Sequence, residues 1–157
     1  MSSVAIKTHG VKPVLCSLLL MVGALCVQTA FAQSFSVIVN ASNDYSASEE
    51  EMKHLIKRLF LKQENDWPNG EYAQVFSRDA KSPELSQFTD SILAMNSAQV
   101  ARHWLSLKQK TGETPPRSIS STRMLLRTLE RYPGAVGLVD EETAKDLPGS
   151  VKVLFSY

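Results

Sequence analysis

The sequence predicts a three-layer α/β sandwich, with helices on both faces of one sheet, and three observations carry that reading. Short β-branched apolar runs recur at Phe35–Asn40, Ala135–Val139 and Val151–Phe155. Segments with apolar residues at helical spacing lie between them, opened by side chains that cap helices. Strands therefore alternate with helices along a stretch of single-domain length, and such alternation layers helices against a sheet.

The elements follow in order. Phe35-Ser36-Val37-Ile38-Val39-Asn40 reads as a buried strand, and Ala41 to Ser46 as the turn-rich loop after it. Ser48 and Glu51 form a capping box. Met52, Leu55, Ile56, Leu59 and Phe60 then give a helix its inner face, with Lys53, Lys57 and Arg58 on the solvated side. Asp66 to Gly70 is a Pro/Gly turn, and Tyr72 to Phe76 reads as a second strand. A helix capped by Ser82 carries Leu85, Phe88 and Ile92 inward. Another, from Asn96 or Ser97, carries Val100, Trp104 and Leu107. Thr111 to Arg117 is an irregular connection. Ser120 and Ser121 cap a helix bearing Met124, Leu125, Thr128, Leu129 and Tyr132, which Pro133-Gly134 ends. Ala135–Val139 and Val151–Phe155 complete the sheet.

The first 32 of the 157 residues read as a secretory leader: basic Lys7 and Lys12, an apolar stretch from Val14 to Val27, and the A-x-A site Ala30-Phe31-Ala32. Cleavage near Ala32 leaves one domain, residues 33–157, destined for the periplasm or the exterior with no membrane insertion. Both cysteines, Cys16 and Cys26, lie in the leader, so the mature chain has no disulfide and no thiol chemistry. Without Lys7 and Lys12, 15 of the 17 basic side chains remain against 16 acidic ones, a net charge of −1. That balance argues against nucleic acid as a partner.

Catalytic signatures are missing. The sequence has no G-x-S-x-G elbow, no P-loop and no HExxH; His54 and His103 lack partners at metal-ligand spacing, so no metal or cofactor is expected. Glu49-Glu50-Glu51 and Glu141-Glu142 read as solvated helix starts. The informative stretch is Phe76 to Phe88, which reads as a strand end, a turn with Arg78 and Lys81, and a helix start at Ser82. Such loops can hold anions through free backbone N–H groups and a nearby guanidinium, although Pro83 offers no N–H and Glu84 adds a negative charge. Ser42 and Asn43, in the loop after the first strand, are candidates for the ligand rim of an open α/β sheet, with an Asx or Ser turn as the plainer account. Ser121 is a helix cap whose N–H can also face a cleft.

These residues carry a resemblance. Val39-Asn40-Ala41-Ser42-Asn43, Leu59-Phe60-Leu61-Lys62-Gln63, Trp67-Pro68-Asn69-Gly70, Arg78 to Phe88 and Pro133 to Val139 keep the order and spacing of motifs in the phosphate-type periplasmic substrate-binding proteins of ABC importers. There the corresponding patterns are V-N-x-x-N, I-F-x-G-K, a tryptophan with a turn, R-x-x-x-S-G-T before a helix with a core phenylalanine, and P-G-A-I-G-Y-V. The resemblance implies one lobe of the type II periplasmic-binding-protein fold, a transport-related binding role without catalysis, and a phosphate-like oxyanion held by Arg78, Ser82, Ser42, Asn43 and Ser121. Two departures stand out. Pro83 and Glu84 replace the glycine and threonine of the anion loop, and the chain has length for one lobe of a two-lobed clamshell. A second reading follows, in which an envelope interaction or sensor-accessory protein keeps the lobe but not the ligand, its open rim facing a protein partner or a second copy.

Overall fold

The structure, a computed structural model, describes residues 33–157; the leader read in residues 1–32, with its cysteines, lies outside the described residues. Five strands form one mixed sheet: β1 (Phe35–Asn40), β2 (Gln74–Ser77), β3 (Arg117–Ser118), β4 (Ala135–Asp140) and β5 (Val151–Ser156). Their spatial order is β3-β2-β4-β1-β5. The helices are α1 (Glu49–Phe60), α2 (Pro83–Phe88), α3 (Ser97–Thr111), α4 (Thr122–Arg131) and α5 (Glu141–Lys145). A single π-helical turn, Thr89–Leu93, continues α2.

Every residue of β1 is buried because β1 is central, paired with β4 and β5, and covered on both faces. Side chains alternate across the pleat. Val37, Val39, Val136 and Leu138 face one core with Leu55, Ile56 and Leu59 of α1, Phe88 of α2 and Ile92 of the π turn. Ile38, Ala135 and Val139 face the other with Leu125 and Leu129 of α4. Helices therefore cover both faces, as the alternation of elements predicts. Each fully buried aliphatic side chain contributes roughly 1.5–3 kcal/mol, so the two-sided cover is the main source of stability.

Local chemistry sets the boundaries. The box between Ser48 and Glu51 starts α1, and Asn96 with Gln99 makes a second box at α3. Gly112, at φ +78°, ends α3 in the left-handed conformation that glycine adopts without strain. The turn Pro133-Gly134 ends α4, and Gly134 cannot be anything larger, since a Cβ there would lie 2.0 Å from the Tyr72 carbonyl oxygen.

The structure corrects several details. The second strand begins at Gln74, where β4 first offers a partner, while Tyr72 pairs with Asp66 across the preceding turn. Met124 and Tyr132 are exposed, leaving Leu125 and Leu129 as the buried residues of α4. On α3 only Trp104 is fully buried; Val100 and Leu107 are half-covered.

Strand direction positions the site. β2 and β3 run parallel to β4, whereas β1 runs antiparallel to it. The loops after β2 and β3 therefore emerge at one edge of the layers, and the loop after β1 at the other. Among the described residues no helix is long and apolar enough to cross a membrane.

Candidate functional site

The loop after β2 has the predicted form, with Ser82 capping α2 by accepting from the Leu85 N–H at 3.3 Å and Pro83 in the first turn. Its arginine does not reach into solvent. The Arg78 side chain is 8% exposed. Nη1 donates to the Ile119 carbonyl at 2.9 Å, and Nη2 donates to Thr122 Oγ1 at 3.1 Å. Glu84, itself 9% exposed, brings Oε1 to 3.7 Å from Nη2. The two charges thus neutralise one another inside the protein, where an unpaired charge would be strongly disfavoured.

This pairing has a chemical consequence. A guanidinium facing a vacant pocket attracts an oxyanion through charge-assisted bonds. One facing a buried carboxylate presents no net charge, and an anion approaching the same donors meets the repulsion of Glu84. Arg78 Nε and Glu84 Oε2 are buried without a hydrogen-bond partner among the described residues, so the pair does not use its full bonding capacity.

Neighbouring groups hold the loop. Ser118 Oγ, on β3, lies 3.2 Å from Asp79 Oδ1, and the Ile119 N–H donates to the Ser77 carbonyl. Ser121 caps α4, accepting from the Met124 N–H at 3.3 Å. From the far end of the chain the Tyr157 hydroxyl donates to the Glu84 carbonyl at 3.0 Å. Burial, and secondarily the Glu84 charge, pushes the Tyr157 phenol far above its ordinary range.

The five candidate residues divide between the two edges. Arg78, Ser82 and Ser121 share the edge at the end of β2 and β3. Ser42 and Asn43 follow the antiparallel β1 and lie at the opposite edge. Asn40 Oδ1 accepts from Ser42 N and Oγ at 2.8 and 2.7 Å, while Asn40 Nδ2 donates to the Leu129 carbonyl near the end of α4. Asn43 Oδ1 accepts from the Tyr45 N–H, and the Asn43 carbonyl accepts from Lys152 Nζ. These are turn and packing bonds that tie the β1 loop to α4 and β5.

The remaining candidates sit in structural roles. His103 Nε2 lies 2.9 Å from the Leu61 carbonyl and its ring meets Trp104 edge-on. Trp67 is buried and donates to the Gly134 carbonyl at 3.1 Å. Among the described residues no cluster of His, Cys, Asp or Glu could hold a metal. Sequence reasoning noted the charge of Glu84 but missed Ile119, Thr122 and Tyr157, because tertiary pairing alone brings residues 41, 44 and 73 positions away into this cluster.

No protein-family profile matches the chain, and no curated protein matches it by sequence. Solved structures do match. An ABC-type phosphate transport receptor from Vibrio cholerae is 17% identical with a TM-score of 0.57, over 77% of this chain and 45% of its own. PstS from Borrelia burgdorferi is 10% identical with a TM-score of 0.58, over 78% and 46%. A putative phosphate ABC transporter substrate-binding protein from Clostridium perfringens, solved with bound phosphate, is 12% identical with a TM-score of 0.53, over 77% and 44%. The match spans less than half the length of each of these proteins. The likeness is one of fold: this chain has the α/β architecture of one lobe of a phosphate-binding-protein-like structure.

Proposed function

We propose that this chain is an exported, non-catalytic accessory protein of the cell envelope, built on one lobe of the phosphate-receptor fold and acting through a protein partner. The observation that carries this reading is the buried pair of Arg78 and Glu84, 3.7 Å apart, in the loop where the resemblance expects a ligand arginine. A loop supplying its own carboxylate has little free-energy gain left for a dissolved anion. A single lobe would also leave such an anion open to water, where charge-assisted bonds are weaker. The leader read in residues 1–32 supports export to the periplasm or beyond.

One observation favours a second reading, an exported binding module for phosphate or another small oxyanion. Arg78 Nε is buried without a partner among the described residues, and Ser82 and Ser121 stand at the same edge. An outward rotation of Glu84 would then admit the anion, with a second copy or a partner lobe closing over it.

Thermal melts in millimolar phosphate and sulfate separate the two, because a ligand that binds only the folded state raises the melting temperature by mass action. The accessory reading predicts no shift for the wild type. It also predicts a phosphate-dependent rise in Pro83→Gly/Glu84→Thr, which removes the internal carboxylate and restores a backbone donor. A clear rise in the wild type would discard the accessory reading in favour of the oxyanion one.

A further inference from the structure

A second feature adjoins the Arg78 loop on the outer side of α4, sharing Ile119 with it. A pocket of about 510 Å³ opens between α4 and the sheet edge formed by β2 and β3. Arg117 enters it from β3, and Arg127 and Arg131 from successive turns of α4. Its lining contains no carboxylate, and these three arginines make no salt bridge among the described residues. Phe76, Ile119, Met124 and Tyr132 supply its apolar wall, the last two being exposed large hydrophobic residues.

This arrangement works against the helix that carries it. Arg123, which lies outside the pocket, Arg127 and Arg131 are spaced i, i+4, i+8, so each repels the next across one turn, a cost that Glu130 and the place of Arg131 in the last turn offset only in part. The repulsion is concentrated on a domain whose overall charge is close to zero. A partner of opposite charge relieves it.

We infer that this pocket is the docking site for an extended acidic segment of a partner protein, its carboxylates meeting Arg117, Arg127 and Arg131 and an apolar side chain resting against Met124 and Tyr132. Three properties point to that occupant. Arginine, tyrosine and methionine are among the residues enriched at protein interfaces. β3 is the outermost strand on this side, so an extended chain can run along the open edge of the sheet. The apolar face of α4, Leu125 and Leu129, is consumed by the core, which leaves no broad apolar surface for insertion into lipid. The inference depends on the accessory reading only for its choice of a protein partner.

The test is fluorescence anisotropy of the full chain with a labelled peptide alternating glutamate and valine, beside tripolyphosphate and anionic phospholipid vesicles as competitors. Binding of the peptide should weaken as salt rises, because exposed charge pairs are screened. Arg127→Glu/Arg131→Glu should weaken it by roughly tenfold or more, since two attractions become repulsions. Arg127→Lys/Arg131→Lys should retain it within a few-fold at an unchanged melting temperature. Failure of the wild type to bind, equal binding by the charge-reversed variant, or preferential binding of tripolyphosphate or vesicles would each overturn the assignment. The two tests are separable: a phosphate-dependent melt in the wild type discards the accessory reading, whereas loss of peptide binding discards only this docking site.

Discussion

Arg78 illustrates how one residue type supports opposite functions depending on what faces it. Placed after a strand and before a capped helix, it has the sequence position of an anion ligand. Inside the protein it is a tether, joining the β2 loop to the Ile119 carbonyl and to Thr122 at the start of α4. Removing it would leave Glu84 buried with no counter-charge, and breaking a buried pair from one side costs about 3–5 kcal/mol. Arg78→Ala should therefore lower the urea-unfolding free energy by about 3 kcal/mol, at the modest end because the 3.7 Å contact is long. Arg78→Ala/Glu84→Ala should recover a substantial part of that loss, since the two changes share one interaction. A change below about 0.5 kcal/mol for Arg78→Ala, the range of ordinary surface substitutions, would show that the guanidinium is not the tether described.

At the scale of elements, two glycines in the β4 segment have different reasons for being glycine. A Cβ at Gly134 would lie 2.0 Å from a backbone oxygen, that of Tyr72, which is held in the turn before β2. A Cβ at Gly137 would lie 2.8 Å from Leu125 Cδ1 and 3.2 Å from its Cγ, atoms of a buried side chain that can shift where a backbone carbonyl cannot. Gly134→Ala should destabilise by about 3 kcal/mol or more and Gly137→Ala by about 1 kcal/mol, both measured by urea unfolding; equal losses would contradict this account of the turn. The same contrast explains what the sequence revealed. The caps at Ser48, Ser82, Asn96 and Ser121 were legible because capping is a local hydrogen bond between residues a few positions apart. The apolar runs of β1, β4 and β5 were legible because burial leaves a pattern in composition. Strand direction leaves none: nothing in Phe35–Asn40 states that it opposes β4, so the sequence groups Ser42 and Asn43 with an Arg78 loop that lies at the other edge. The exposed side of α4 was hidden for a related reason. Periodicity marks an apolar stripe, but the position of the helix beside the sheet edge decides that Leu125 and Leu129 are covered while Met124 and Tyr132 are not.

For the whole molecule, Tyr157 links the end of β5 to the start of β1 and to the candidate loop. Its N–H and carbonyl exchange hydrogen bonds with Phe35 at 2.8 and 3.0 Å, and its ring packs on Phe35 and Phe88. Its hydroxyl holds the Glu84 carbonyl, so β1, β5 and α2 meet at one side chain. That hydroxyl stays protonated in the folded protein well beyond the pH at which an exposed tyrosine ionises, because burial and the nearby Glu84 charge both oppose the phenolate. Below the unfolded-state value of about 10 both states hold the proton, and the contribution of Tyr157 is fully present. Above it the unfolded chain releases the proton while the folded protein keeps it, so unfolding becomes more favourable as pH rises, by at most about 1.4 kcal/mol per pH unit from this group. Tyr157→Phe keeps the ring and removes the titration. It should lose about 1 kcal/mol at neutral pH with the hydrogen bond, then lose less stability than the wild type between about pH 10 and 11. Parallel urea titrations of the two proteins across that range measure the difference directly. Identical slopes would mean that the phenol ionises equally in both states, and the packing of Tyr157 against Phe35, Phe88 and the α2 loop would then not seal it from water.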